Sequence, residues 1–256
     1  MPYNSAQASM SITVLSVSVK LSISPNPPWN AGQTINLAAT VTADGKAAAN
    51  REVAFVMAVG RYEFEIGSAF TGSDGVARLT YTIPWLIDGV TVPCNTVNFY
   101  AIDTFSGVAS NTVSGQVAYP TRISISAPSQ VIVGQSFTVS GKLEYQSSST
   151  AWSGLSGKTV SIYYNSTKLA DVTTDSGGNY SATVSIGTTG TYTLKAVYAG
   201  EGFAFAPAIS LLGLTVAIPE TETVMKNLTY VLAGIPFIAV AGTIAYNEIL
   251  KHMGRR

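Results

Sequence analysis

The chain repeats its own residue pattern after 102 positions, and within each copy apolar and polar residues alternate. The segment 21–24 (LSIS) aligns with 123–126 (ISIS), and 32–33 (GQ) aligns with 134–135 (GQ), without a gap. Alternation with a period of two predicts β-strands that bury one face, and self-similarity at a fixed period predicts one structural unit present twice. The sequence therefore predicts an all-β fold made of two related β-sandwiches.

Short turn motifs separate the predicted strands. Segments 73–75 (SDG) and 175–178 (DSGG) occupy corresponding places in the two copies and precede alternating runs. Because glycine adopts positive φ without steric cost, these motifs favour tight turns over phosphate or metal binding. The predicted segments are a flexible arm at 1–10, a first sandwich at 11–119, a second sandwich at 120–218 and a C-terminal segment at 219–256.

The second copy resembles a known family. Residues 191–208 (TYTLKAVYAGEGFAFAPA) are similar to the final hairpin of the Ig-like repeats of bacterial and archaeal surface proteins, where a YxGD turn precedes an aromatic residue and AP or SP. Segments 133–136 (VGQS) and 175–180 (DSGGNY) fit the same pattern, which covers 122–218 well and 11–119 in part. The resemblance implies tandem Ig-like sandwiches that act as spacers or adhesin stalks, and it carries over no catalytic residue.

A long uncharged run near the C-terminus predicts a membrane anchor. No charge occurs between Lys226 and Glu248, and about 20 apolar residues in helical form cross a bilayer core. A buried core helix is the alternative, but no other helical pattern is present to pack against it. The anchor residues are Tyr230, Val231, Leu232, Ile235, Pro236, Phe237, Ile238, Ile244 and Tyr246. The complete expected fold class is two tandem Ig-like β-sandwiches followed by one C-terminal transmembrane α-helix.

The charges around this run predict its orientation. Lys251, Arg255 and Arg256 follow it, and the positive-inside rule then places the sandwiches on the outer face of the membrane. The first twenty residues lack the basic start and the continuous apolar core of a secretory signal. Either a signal was removed or the chain inserts tail-first, and a sequence that starts at Met1 favours tail-first insertion. Tail-first insertion suits a virion whose capsid surrounds an internal membrane, and the basic tail would then face the packaged genome. The alternative is that these basic residues are ordinary stop and interface anchors.

The scarcity of reactive side chains excludes most enzyme classes. The chain has one cysteine, Cys94, and one histidine, His252, so it cannot assemble a Ser-His-Asp triad or a multi-histidine metal site. Fourteen basic residues are balanced by fourteen acidic ones, which argues against specific nucleic-acid recognition. We expect no enzymatic activity, no cofactor and no catalytic or metal-binding residue, and we interpret Cys94 as a small core or loop residue.

Aromatic residues in predicted loops are the candidate binding residues. Tyr62, Phe64 and Trp85 lie where the first copy departs from the second, and they are the candidate interaction loop. Phe203 and Phe205 fall inside the family pattern, and both are assigned to packing. The same interpretation leaves Trp29 and Trp152 as residues that either bind a ligand or cap a sandwich.

Two sequons are candidate glycosylation sites. Asn165 and Asn179 each head an Asn-X-Ser/Thr triplet, and Asn227 heads a third one close to the predicted membrane. In a chain so rich in serine and threonine, such matches also arise by chance. Glycosylation of Asn165 or Asn179 would support an outward topology.

These features together predict a membrane-anchored structural protein. The leading hypothesis is a spike, vertex or coat component of a membrane-containing archaeal virus particle. The alternatives are a cell-surface adhesin or surface-layer-associated anchoring protein and, secondly, a carbohydrate-binding module. The expected partners are the lipid bilayer, other copies of the chain or other coat or capsid proteins, and a host-surface glycan or protein.

Overall fold

The computed structural model describes residues 16–219, and every regular element in this range is a β-strand. None of the described segments is a helix of the length and hydrophobicity that a membrane crossing requires. The predicted arm at 1–10 and the predicted anchor residues from Tyr230 to Tyr246 lie outside the described residues, so both stay predictions. The all-β part of the predicted fold class is confirmed.

Twenty strands follow one another along the described chain. The first group comprises β1 (Val17–Ser24), β2 (Trp29–Asn30), β3 (Thr34–Ala43), β4 (Lys46–Ala47), β5 (Glu52–Val59), β6 (Tyr62–Phe70), β7 (Val76–Thr82), β8 (Leu86–Ile87), β9 (Val90–Thr91), β10 (Asn95–Asp103) and β11 (Val113–Ala118). The second group comprises β12 (Thr121–Ile123), β13 (Gln130–Ile132), β14 (Ser136–Gln146), β15 (Trp152–Gly154), β16 (Thr159–Tyr164), β17 (Thr167–Thr173), β18 (Asn179–Ser185), β19 (Gly190–Tyr198) and β20 (Ala208–Ala217).

The two groups form sandwiches with the same sheet order. In the first, a sheet β1-β3-β4, with β7 also paired to β3, faces a sheet β2-β11-β10-β5-β6. In the second, β12-β14-β15, with β18 paired to β14, faces β13-β20-β19-β16-β17. Each sandwich has its own buried apolar cluster, and the strands alternate buried and exposed positions as the period-two pattern predicts. The predicted domain boundaries stay predictions.

The predicted glycine turns are present in both copies. Gly75 has φ of +73° and Gly178 has φ of +81°. A Cβ atom added to Gly178 would lie 2.3 Å from the carbonyl oxygen of Leu143, so both the backbone conformation and the space require glycine there. The tight turns are confirmed, but they do not close hairpins: β6 and β7 belong to opposite sheets, and so do β17 and β18.

The opening strand of the second sandwich is shorter than its sequence suggests. It ends at Ile123, and only an isolated bridge joins Ser126 to Ser140 on β14. The hydroxyl of the buried Tyr180 donates to the carbonyl oxygen of Ser124, and burial raises the pKa of Tyr180 to about 12. Gly141 makes room for this carbonyl, since a Cβ there would lie 2.0 Å from the Ser124 oxygen.

An inserted hairpin explains where the first copy departs from the second. β8 and β9 pair across a turn at Asp88 and Gly89, whose φ values are +45° and +80°. Positive φ at both central residues is typical of a type I′ turn. Val92, which follows the hairpin, is fully buried in the first core, and this placement brings Trp85 to the junction of the two sandwiches.

Candidate functional site

The two sandwiches meet through a cluster of three aromatic rings. Tyr119 lies between the two strand groups and stacks on Phe205 with ring centroids 5.8 Å apart. Tyr145 meets both rings edge-on, at 5.4 Å from Tyr119 and 5.3 Å from Phe205. The Tyr119 amide also donates to the carbonyl oxygen of Ala204 at 2.8 Å, and the Ala206 amide donates to the carbonyl oxygen of Tyr119 at 3.0 Å. The connection between the sandwiches is therefore part of the packed structure.

Trp85 forms a second link across the junction. Its indole Nε1 donates to the carbonyl oxygen of Gln146 at 3.0 Å, and its ring covers Gly32 so closely that a Cβ there would lie 2.4 Å from it. Trp85 is half-buried, and its N–H bonds within the chain. Trp85 therefore links the two sandwiches, and its role in an interaction loop stays a prediction.

The other two residues of the predicted interaction loop lie on a strand. Tyr62 and Phe64 belong to β6, the edge strand of the five-stranded sheet of the first sandwich. Tyr62 is exposed and hydrogen-bonds to Arg61, whereas Phe64 packs against the first core. The loop assignment is wrong for both because this stretch continues the ladder from β5.

A cleft of about 600 Å³ opens beside the junction. Residues from both sandwiches line it, and none of the lining residues is charged. Its walls include Pro27, Pro28, Thr96, Gln116, Phe203 and Pro207. Apolar walls with a few hydroxyl and amide groups are the usual composition of a small-molecule site. The cleft is a candidate small-molecule site within residues 16–219.

The two phenylalanines of the last hairpin have different environments. Phe205 packs at the junction, as predicted, but Phe203 is 58% exposed and lines the cleft, so its assignment to packing is wrong. Residues two positions apart share a face only in a regular strand, and this segment is a turn. The family pattern alone therefore did not separate their roles.

A buried ion pair lies at the end of the first sandwich away from the junction. Asp103 is fully buried, Arg51 Nε donates to its Oδ1 at 3.0 Å, and a second guanidinium nitrogen contacts Oδ2. The Ser106 amide donates to Oδ2 at 3.1 Å. Burial by itself raises the pKa of Asp103, but the hydrogen bonds from Arg51 and Ser106 outweigh it and hold the pKa below its ordinary value. This pair stabilises the turn that carries Phe105, which is 84% exposed.

The remaining reactive groups are scattered. Within residues 16–219, no cluster of three or more His, Cys, Asp or Glu side chains is placed to hold a metal ion. Cys94 lies exposed in a loop with φ of +66°, and its Sγ is 3.9 Å from the Ala204 carbonyl oxygen. Of the two interpretations of Cys94, core residue or loop residue, the structure supports the loop residue.

The two candidate glycosylation sites differ in how their amides are used. Asn165 is exposed in the β16–β17 turn, and its Oδ1 accepts from the Thr193 amide at 3.1 Å. Asn179 is also exposed, but its Nδ2 donates to both carboxylate oxygens of Asp175, at 3.2 and 3.1 Å. Glycan transfer needs this side-chain nitrogen, so Asn165 is the more accessible acceptor.

We expect the folded full-length chain to be glycosylated at Asn165 in preference to Asn179. Incubation with a purified oligosaccharyltransferase and its lipid-linked glycan, followed by peptide mass spectrometry, measures the two occupancies. Asp175→Ala should raise occupancy at Asn179 because it frees the amide nitrogen, and it should leave Asn165 unchanged. Equal occupancy of the two sites in the unmodified chain would contradict this expectation.

Comparison with known proteins gives similarities of fold only. No family model and no curated protein matches the sequence. Among solved structures, the D0-D1 domain of intimin is 20% identical over 78% of this chain and all of its own, with a TM-score of 0.31. A C-terminal 282-residue fragment of intimin, in complex with the intimin-binding domain of the translocated intimin receptor, is 17% identical over 80% of this chain and 64% of its own, with a TM-score of 0.41.

The bacterial integrin-binding protein invasin is a third similar structure. It is 17% identical over 81% of this chain, which spans only 40% of invasin, and the TM-score is 0.32. Identities below 25% and TM-scores below 0.5 do not transfer an activity or a partner. The described residues belong to the all-β class with sandwich-like paired sheets, and that assignment rests on their own strand pairing.

Proposed function

We propose that this chain is a non-enzymatic structural protein displayed on a surface, in which the two sandwiches form one stiff stalk. The proposal rests on the contacts that join the two sandwiches at their junction. The rings of Tyr119, Tyr145 and Phe205, together with the Trp85–Gln146 hydrogen bond, hold the second sandwich against the first. A stiff connection suits a protein that must hold one end of itself away from the surface to which the other end is attached.

The course of the chain supports the same arrangement. Strand β20 begins beside the junction, where Ala208 pairs with Tyr198, and it runs to Ala217 at the opposite end of the second sandwich. The predicted membrane segment at 219–256 would follow directly. In the first sandwich, Phe70 and Phe105 are exposed at the end away from the junction. The anchor and this apolar tip would thus lie at opposite ends of the stalk.

Of the two surfaces considered, we propose display on a cell surface, as in the cell-surface adhesin alternative. The virion component stays a prediction, because it was inferred from the first residues and the C-terminal segment, which lie outside the described residues. Labelling intact cells with a membrane-impermeant amine reagent tests the proposal, since Lys20 and Lys168 are exposed in the two sandwiches. Labelling that occurs only after lysis would refute surface display.

We expect Phe205→Ala to loosen the junction without unfolding either sandwich. Each aromatic pair contributes about 0.5–1.5 kcal/mol beyond its buried area, and Phe205 forms two such pairs. Spin labels on cysteines introduced at Thr40 and Thr183, in a Cys94→Ser background of the full chain, report the distance between the sandwiches by double electron–electron resonance. The parent should give one narrow distribution and Phe205→Ala a broader one.

Phe203→Ala is the matched control for that experiment. Phe203 is two residues away and exposed, so its removal should leave the distance distribution narrow. A broad distribution in the parent protein would contradict the stiff stalk. The stiff stalk would also be contradicted if Phe205→Ala, with thermal unfolding equal to that of the parent, gave the same distance distribution as the parent.

The cleft favours a second candidate function, the binding of a neutral carbohydrate. Its lining combines an exposed aromatic ring, Phe203, with the hydroxyl of Thr96 and the amide of Gln116, and it contains no charged side chain. A sugar ring stacks its apolar face on an aromatic side chain and hydrogen-bonds to neutral polar groups. An uncharged lining disfavours anionic ligands because nothing in it would compensate their charge.

We expect Phe203→Ala to abolish glycan retention without changing stability. An array of neutral oligosaccharides probed with the full-length chain identifies a ligand, and isothermal calorimetry then compares the variant with the parent. Trp152→Ala is the control, because Trp152 lies away from the cleft lining with the Arg122 guanidinium 4.3 Å from its ring centroid. Absence of any neutral glycan on the array, or equal binding by Phe203→Ala, would remove this candidate while leaving the stalk proposal untouched.

A further inference from the structure

The second sandwich exposes an apolar patch on the outer face of its five-stranded sheet. Ile209 and Leu211, on β20, are 63% and 62% exposed, although aliphatic residues of this size are normally buried. Cross-strand register places Val197 opposite Ile209 and Lys195 opposite Leu211. The apolar–basic face is defined by Ile209, Leu211, Val197, Tyr163, Lys195 and Lys168.

The charges on this face are predominantly positive. Lys195 lies next to Tyr163, with its Nζ 4.8 Å from the ring centroid, and it forms no ion pair among the described residues. Lys168 is paired to Asp171 at 3.0 Å. Two ammonium groups and one carboxylate leave a net charge of +1, surrounded by aliphatic and aromatic surface.

The corresponding sheet of the first sandwich has the opposite charge. Its outer face carries Glu52, Glu63 and Glu65, and none of these carboxylates forms an ion pair within residues 16–219. Burial and the nearby Glu63 carboxylate raise the pKa of Tyr100, and the Glu52 carboxylate accepts from the Ser68 hydroxyl at 3.2 Å. The acidic face is defined by Glu52, Glu63, Glu65, Val56, Tyr100 and Ile102.

Both faces occupy the same position in the repeated fold, and both carry exposed side chains. The glutamates at 63 and 65 and the aliphatic residues at 209 and 211 are exposed, so the faces do not contact each other within one molecule. The exposed glutamates on one face and the lysines within the apolar patch on the other face are complementary in charge. Like-charge repulsion disfavours pairing either face with itself.

We propose that the acidic face of one copy binds the apolar–basic face of a second copy of this chain. Five strands spaced about 4.8 Å apart make each face about 20 Å wide. A length of about 20 Å along the strands then gives about 400 Å² per partner. Stable interfaces bury about 800 Å² per partner, so one such contact is weak, and the high local concentration of a surface array favours it. Because the two faces are different, the contact joins unlike surfaces and can extend from copy to copy.

Sedimentation of the full-length chain in density-matched detergent tests the pairing. The parent should self-associate as its concentration rises. Glu63→Lys with Glu65→Lys, and separately Lys168→Glu with Lys195→Glu, should each weaken association at least about tenfold, since each makes the two faces alike in charge. An equimolar mixture of the two double variants should associate again, because the reversed faces complement each other.

Lys20→Glu is the control variant. Lys20 is exposed on β1, in the other sheet, and its reversal should leave self-association unchanged. Circular dichroism confirms that each variant keeps its β-sheet content. The proposal is overturned if the parent stays monomeric up to about 1 mM, if either double variant associates like the parent, or if the mixture fails to restore association.

Discussion

Replacing Arg51 with methionine should lower the free energy of unfolding by about 3 kcal/mol. The change keeps most of the aliphatic stem of the side chain but leaves the fully buried Asp103 carboxylate without its cation. Ser106 still donates to that carboxylate, which keeps the expected loss at the lower end for a broken buried pair. Urea denaturation of the full chain, followed by tryptophan fluorescence, measures the difference.

The exposed pair Arg122–Glu144 supplies the matched control. Its atoms are 2.7 Å apart but the arginine side chain is 54% exposed, so Arg122→Met should cost less than about 1 kcal/mol. Equal losses in the two variants would show that burial of Asp103 does not decide the effect. Asp103→Asn with Arg51→Met should recover part of the loss, because no buried charge then remains.

The Arg51–Asp103 pair also predicts how the free energy of unfolding depends on pH. The pKa of Asp103 is lowered in the folded chain, so its contribution is fully present above the ordinary aspartate pKa of about 3.9. It is lost as pH falls through the lower, folded value. Acid unfolding should therefore be steeper in the parent than in Asp103→Asn over that interval, and identical acid profiles would contradict the assignment.

Trp29→Ala should destabilise the first sandwich by about 3–5 kcal/mol. Trp29 is 1% exposed, meets Phe99 edge-to-face at 5.4 Å, and donates from Nε1 to the Pro25 carbonyl oxygen at 2.8 Å. Truncation leaves a cavity and removes the partner of that carbonyl. Thermal unfolding by calorimetry should show the transition of the first sandwich shifted to lower temperature.

Trp152→Ala is the control for that substitution. Trp152 is half-buried on β15 and contacts the Arg122 guanidinium at the surface, so we expect a loss of about 1 kcal/mol or less. From the sequence the two tryptophans were equivalent candidates for binding or capping. A small effect at Trp29 would mean that its pocket in the core collapses around the smaller side chain.

Local pattern predicted the parts of the fold that depend on neighbouring residues. The alternation through residues 17–24 and the glycines at 75 and 178 determined strands and turns, because side-chain periodicity and positive φ are properties of short segments. The shift of 102 residues then predicted two equivalent sheet pairs, which share their strand order.

The surroundings of the candidate residues depended on contacts between residues far apart in the sequence. Trp85 was expected to be free for a partner, yet its indole meets Gln146, 61 residues away in sequence. Phe203 and Phe205 looked alike, but only Phe205 reaches Tyr119. No local pattern reports which residue a side chain will meet after the chain turns back on itself.

By itself, the sequence determined the all-β class of the described residues and their duplicated pattern, since periodicity limits what a segment can form. Its composition leaves too few reactive side chains for the familiar catalytic sites. The sequence also predicts the membrane segment at 219–256. Only the tertiary structure decided that the junction is closed, that a neutral cleft opens beside it, and that the two repeated faces carry opposite charge. Each of these properties comes from residues far apart in the chain, which packing alone brings together.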